Sequence, residues 1–290
     1  ALAIANVLMA ALVKRDFVRV PLVMALYTAL LGGFGAISSG VAVPISHAGP
    51  PDAPLGWRFA LLVIGCALLP FAVIGWGLAT RRTDAAHRTA TDEPRAAGRT
   101  GIWRDGLAWQ VAAYMGLQSA SFYMLVTWLA TIAASLGRSA VVAGIDVMVY
   151  QVFSVVGSLV VPVLLRWGWA RFVPAAIPVL GILGTAGLMI APNAVELWVA
   201  VIGLFSGASL GMALTIIAQR ARHHDSSAAL SGMAQSVGYL VAACGPVLFG
   251  GLHAATGGWT APFTLLLAVM VAQGVTGLFA GRDRYVLGGR

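Results

Sequence analysis

A chain of 290 residues with only 10% charged and 59% hydrophobic residues, and a mean hydropathy of +0.88, falls outside the soluble globular class, where roughly a quarter of residues are charged. Its formal net charge of +8 comes from 18 Lys and Arg against 10 Asp and Glu. The basic residues form short clusters between apolar runs rather than the continuous surface that nucleic-acid binding needs, so attraction to anionic lipid is the simpler account.

In chain order, the first apolar stretch, Ala1 to Val13, would extend only about 20 Å as a helix at roughly 1.5 Å per residue, too little to cross a hydrocarbon core roughly 30 Å thick. With Ala at its start and no basic leader, the chain reads as the C-terminal part of a longer protein, beginning inside a helix. Lys14, Arg15 and Asp16 then form a polar turn, in which Asp16 is either an internal salt-bridge partner or part of a gate. Apolar spans follow over 20–45 and 57–79. The one long polar segment, 81–105 with Pro94 in its middle, predicts a linker between two helical bundles. Six more spans come after it, over 107–135, 140–165, 172–191, 195–218, 228–252 and 260–280. Residues 1–80 are therefore expected to form a partial bundle, and 106–290 a six-helix bundle with a short tail.

All Lys and Arg except Arg58 and Arg138 lie in alternate gaps. The positive-inside rule places that richer side, with the linker and the C-terminus, in the cytoplasm. Glycines recur at helical spacing in Gly203, Gly207 and Gly211, and small residues in Gly32, Ala36 and Gly40. Such stripes let helix backbones approach closely, within the chain or between two copies. Pro44, Pro70, Pro162, Pro174, Pro178, Pro246 and Pro262 predict kinks or span ends. Cys66 and Cys244 fall in apolar spans, where a thiol packs as a small hydrophobe and no disulfide framework is implied. An echo between the halves links the Lys14–Arg19 turn and the glycine-rich run after Tyr27 with the Arg220–Arg222 turn and the run from Gly232 to Tyr239. Related halves of this kind place a solute at the midplane.

Polar side chains inside the spans are the candidates for recognition. Gln110, Tyr114, Gln118, Ser121 and Trp128 recur at spacings of three, four or seven, near one helix face. Gln118 and Tyr123 sit well inside the span and are the strongest candidates on this helix. Such a face either binds a small polar or aromatic solute or makes interhelical hydrogen bonds. Gln235 and Tyr239 share a face of a later helix, and Asn6 and Tyr27 are the corresponding candidates near the start. Asp146 is the one clearly intramembrane acid, followed by Tyr150 and Ser154 at four-residue steps, with Gln151 beside them. Its carboxylate needs a reason to be there, either a coupling proton or a partner such as Arg138 or outer water. Glu196 and His253 are most simply interfacial. Adjacent His223 and His224 with Asp225 lack a spaced third ligand, so no metal is expected. No phosphate-cradling loop, zinc helix motif, nucleophile elbow or dinucleotide fingerprint occurs, and no catalytic residue or cofactor is expected.

The run from Ala5 to Phe17, then Leu26-Tyr27-Thr28, resembles the fourth-to-fifth helix region of cyanate and nitroimidazole-type transporters in the major facilitator superfamily. Gly116 to Ser119 with Tyr123, Trp128 and Leu129 extends the resemblance. So does the fairly specific Ser231 to Tyr239 run with Cys244-Gly245-Pro246 and Gly257-Gly258-Trp259. The chain departs from the pattern at Ala10, Val18 and Ala130, where prolines are usual. The resemblance implies an all-α, polytopic transmembrane helical bundle, the major facilitator fold without its first three helices and part of the fourth. It also implies a secondary active transporter, multi-pass in a bacterial inner membrane. Its partners would be the lipid bilayer, a small polar, anionic or aromatic solute and a coupling proton, and it would be a monomer at full length. A non-transporting membrane sensor or membrane-embedded enzyme is the competing class.

Overall fold

The computed structural model describes residues 20–49, 55–83, 101–166, 169–222 and 224–287, and their regular structure is helical throughout. Asn6, Lys14, Arg15, Asp16, residues 84–100 of the expected linker, His223 and the side chains of His224 and Asp225 lie outside the described set. Among the described residues eight long helices run in order: α1 Val20–Ser46, α2 Gly56–Thr83, α3 Gly106–Ser135, α4 Ala140–Leu164, α5 Val173–Ile190, α6 Val195–Gln219, α7 His224–Thr256 and α8 Thr260–Ala280. Short 3-10 turns at Ile102–Arg104, Ala170–Phe172 and Pro192–Ala194 lead into α3, α5 and α6.

All but α2 contain a stretch long and apolar enough to cross a membrane, and in α2 the described apolar run is Gly56–Ala67. Helices are the expected solution in lipid, because only the chain itself can satisfy the backbone N–H and C=O groups there. Their ends carry local signals. Asp105, in extended conformation, caps α3 by accepting hydrogen bonds from Leu107 N at 2.8 Å and Ala108 N at 3.2 Å. Ser139 caps α4 through Val142 N, and Pro174 sits in the first turn of α5, where its missing N–H is harmless. Gly137 and Gly257 take positive φ, of 84° and 67°, in the tight connections α3–α4 and α7–α8. Pro44 and Pro162 fall in last turns, at span ends, whereas Pro70 and Pro246 lie deep inside α2 and α7.

The centre of the bundle is α6. In its most apolar window 83% of residues are buried, against 22% for α1 and α7. It packs on α4 almost backbone to backbone. A Cβ added at Gly207 would stand 2.8 Å from Ser154 Cα, and one at Gly157 would stand 3.0 Å from Ala208 N. The second small-residue stripe seats α1 on α4, with a Cβ at Gly32 meeting Val155 Cγ2 at 3.0 Å and Ala36 fully packed. Both stripes therefore serve packing within the chain. Cys66 and Cys244 differ from expectation, for both thiols lie on exposed helix faces rather than packed inside. Cys244 donates to Leu240 O of its own helix at 3.6 Å, beside Leu240 and Val247, which are equally bare. Faces of this composition suit lipid, not water.

The last described residues are fastened to the bundle. Arg220, just past α6, donates to the carbonyls of Ala280 and Gly281, both at 3.1 Å, where the end of α8 presents unpaired acceptors. Its own carbonyl accepts from Val286 N, and Leu287 N donates to the free oxygen of Asp105 at 2.7 Å. Burial lowers the Arg220 pKa from its ordinary value, a change that leaves a guanidinium charged.

Candidate functional site

A cavity of about 210 Å3 opens between α1, α3, α4, α6 and α7. Each wall follows from helix periodicity. On α1, Tyr27, Thr28, Leu31 and Gly32 repeat at three and four, and so share one face. Gln118, Ser119, Phe122 and Tyr123 do the same on α3, and Gln151 and Ser154 on α4. Gly207, Leu210 and Leu214 of α6 form the back wall, and Tyr239 of α7 closes one side.

Five of the residues singled out from sequence meet here: Tyr27, Gln118, Tyr123, Gln151 and Tyr239. Tyr150 and Gln235 are not among the lining residues. Tyr150 is fully buried, its hydroxyl 2.7 Å from Ser206 Oγ and its ring 6.3 Å from that of Phe122, so it supports the wall from behind. Gln235, also buried, donates to Ser231 Oγ at 2.9 Å one turn earlier in α7. Sequence reasoning missed Thr28, Ser119, Phe122, Ser154 and Gly207 as site residues. Each stands within four positions of a chosen polar residue or belongs to a glycine stripe, and that proximity was the available signal.

The chemistry of the lining is aromatic and amide-rich. Four rings, from Tyr27, Phe122, Tyr123 and Tyr239, surround two amides and three hydroxyl-bearing residues, and none of the described lining residues is charged. Phe122 and Tyr123 meet edge to face at 5.2 Å. The Gln118 amide donates to Ser119 Oγ at 2.7 Å, which leaves its carbonyl oxygen as an acceptor. The Thr28 hydroxyl is turned onto the Met24 and Ala25 carbonyls of its own helix, at 3.1 and 3.0 Å. Rings stack and amides hydrogen-bond a flat polar molecule, whereas a bare ion entering this space would lose hydration without a charged partner in the lining. The volume lies below the roughly 300–1,000 Å3 of drug-sized sites and fits a solute of about one ring.

A second polar cluster lies at one end of the bundle. Arg138, in the α3–α4 connection, holds Asp146 through both oxygens, Nε to Oδ2 at 2.7 Å and Nη2 to Oδ1 at 2.9 Å. The same Nη2 reaches Glu196 at the start of α6 at 2.5 Å. The Asp146 side chain is 1% exposed and that of Glu196 60%. Hydrogen bonding to Glu196 foremost, and then to Asp146, raises the Arg138 pKa against the opposing effect of burial. The acid thus has a partner within its own structural unit, and the cluster ties the connection and α4 to α6.

A bundle of membrane-length helices around a small cavity walled by polar and aromatic side chains is the build of a membrane transport protein. The chain belongs to the Major Facilitator Superfamily, whose sequence profile matches residues 1–243. It is 36% identical to the uncharacterized transporter YycB of Bacillus subtilis over 98% of this chain and 69% of that protein. It is 35% identical to the 2-nitroimidazole transporter of Escherichia coli, over 98% of this chain and 71% of that one. The cyanate transport protein CynX of the same organism shares 24% identity over 88% of this chain and 64% of its own length. The protein is therefore a multi-pass membrane transporter of small solutes and not an enzyme.

Proposed function

We propose that this transporter carries a small, flat, polar solute of the nitroimidazole kind, bound by Tyr27, Gln118, Tyr123, Gln151 and Tyr239 while the two halves of the protein rock to expose the cavity alternately. The observation that carries this reading is the lining among the described residues, four rings and two amides without a charge around about 210 Å3. It agrees with the solute named for the relative that is 35% identical. Residues 1–80 then belong to one rocking half, 81–105 to the connection, and 106–290 to the other half with a cytoplasmic C-terminus. Lys14, Arg15, Asp16 and Asn6 complete the gate and binding surface of the first half. An anionic solute is the second reading, favoured by the likeness to a cyanate transport protein. It has to offset the cost of desolvating a charge that none of the described lining side chains neutralises.

Uptake of labelled 2-nitroimidazole and of cyanate into proteoliposomes holding the full-length protein separates the two. Faster saturable uptake of 2-nitroimidazole than of cyanate is expected. The reading is overturned if neither exceeds protein-free vesicles, or if cyanate is preferred. A coupling proton at Asp146 requires its pair with Arg138 to open. If Asp146→Asn leaves the pH dependence of uptake unchanged, coupling does not run through this carboxylate.

A further inference from the structure

We infer that the arginines where α5 begins and α8 ends form a binding site for the phosphate of an anionic phospholipid. Arg171, in the turn that leads into α5, and Arg282 and Arg284, just beyond α8, line a pocket of about 400 Å3 together with Phe172 and Leu278. Turn and tail come together because Gly281 packs against the Arg171 main chain, with an added Cβ falling 3.2 Å from the Arg171 carbonyl carbon. Two of the three guanidinium groups lie over rings, Arg171 at 4.4 Å from Phe172 and Arg282 at 4.9 Å from Phe279. A ring orients such a cation without cancelling its charge. The acid within this cluster's sequence, Asp283, is drawn off to Arg220 at 3.4 Å, and no acidic side chain among the described residues lines the pocket. Three positive charges therefore face one space.

The rim is apolar. Phe172, Leu278 and Phe279 are 38%, 47% and 38% exposed, and the helices leading away from the pocket are both membrane-length. A free phosphate has no use for such a rim, but an acyl chain lying along α8 covers it while its headgroup meets the arginines. Guanidinium groups suit this role, since their planar fork donates two parallel hydrogen bonds to phosphate oxygens. A basic pocket between helices at a membrane surface is the expected form of a lipid headgroup site.

The test is a titration of the purified full-length protein in neutral detergent with phosphatidylglycerol, phosphatidylcholine or inorganic phosphate, read by thermal stabilisation and by bound lipid in native mass spectrometry. Saturable binding of phosphatidylglycerol is expected, with no competition from inorganic phosphate at the same concentration. Arg171→Gln with Arg282→Gln should weaken it at least tenfold, and Arg284→Gln alone by a smaller factor. Arg166→Gln removes the same charge outside the pocket, at the end of α4, and should change binding less than twofold. The inference is overturned by equal binding of phosphatidylcholine, by full competition from inorganic phosphate, or by an Arg166→Gln loss matching that of the double variant. All four side chains are exposed, so each variant should melt with the wild type when no lipid is added.

Discussion

Replacing Gly207 with alanine perturbs the contact that sets the back wall of the cavity. The added carbon would stand 2.8 Å from Ser154 Cα and nearer still to the Ser154 carbonyl, where ordinary contact begins at about 3.4 Å. The obstacle is backbone, so no rotamer change relieves it, and α4 and α6 have to part by at least about 0.6 Å. Overpacking of this kind costs about 1–3 kcal/mol. The upper end applies because Gly203 and Gly157 hold the same two helices together within a turn of Gly207. Alanine's better helix propensity returns at most about 1 kcal/mol. A net loss of about 2 kcal/mol corresponds to a melting point lower by roughly 4–8 °C for a chain of this size. Gly211→Ala is the control on the same helix face, because its nearest neighbours would lie at 3.5–3.6 Å, an ordinary distance. Thermal unfolding of both variants in the same detergent measures the difference. If Gly207→Ala melts within about 1 °C of Gly211→Ala, the close α4–α6 approach is wrong, and the cavity wall built on it falls too.

Gly35→Ala should act on solute binding rather than on stability. Its Cβ would meet the Gln151 Nε2 at 2.5 Å but Cδ at 3.5 Å, so only the end of a flexible side chain must move. The expected result is an unchanged melting point and a several-fold higher KM for 2-nitroimidazole uptake. Gly33→Ala, with nothing within 4 Å, should leave both alone, and an unchanged KM in Gly35→Ala removes Gln151 from the binding surface. Arg138→Ala strands the buried Asp146 carboxylate and should cost about 3 kcal/mol, the low end for a broken buried pair because Arg138 itself reaches solvent. Adding Asp146→Asn should restore most of that loss in a chemical-denaturation series, and a double variant no more stable than Arg138→Ala refutes the pair's role. Asp105→Ala removes both the α3 cap and the anchor for Leu287 N. It should lower stability by about 1 kcal/mol and speed hydrogen exchange of the tail amides, and unchanged exchange there argues against the anchor.

The spans were legible because lipid leaves a chain one economical choice, a helix of about 20 apolar residues. The expected spans 107–135, 140–165 and 260–280 fall within a residue of α3, α4 and α8. The expectation of 228–252 fell short of α7, which runs from His224 to Thr256. Its first turn holds His224, Asp225, Ser226 and Ser227 and its last holds His253 and Thr256, and a hydropathy reading stops where a helix leaves the hydrocarbon although the hydrogen-bonded spiral continues. The site was legible only as a set of polar types. Gln118 and Gln151 line the cavity while Gln235 does not, yet nothing local separates the three. In a soluble helix the apolar stripe marks the inner face, but in lipid both faces are apolar, so the rotation of each helix is set by its neighbours. Tyr150 shows the consequence, its hydroxyl being claimed by Ser206, which is 56 residues away on another helix. Asp146 is the intermediate case. An intramembrane carboxylate announces that some partner exists, and Arg138 was near enough in sequence to be considered. Glu196, 58 residues from Arg138, was not, because only the packing of α6 against α4 brings it to the same guanidinium. Sequence therefore identifies which side chains need company, and helix packing decides which of them are left facing a solute.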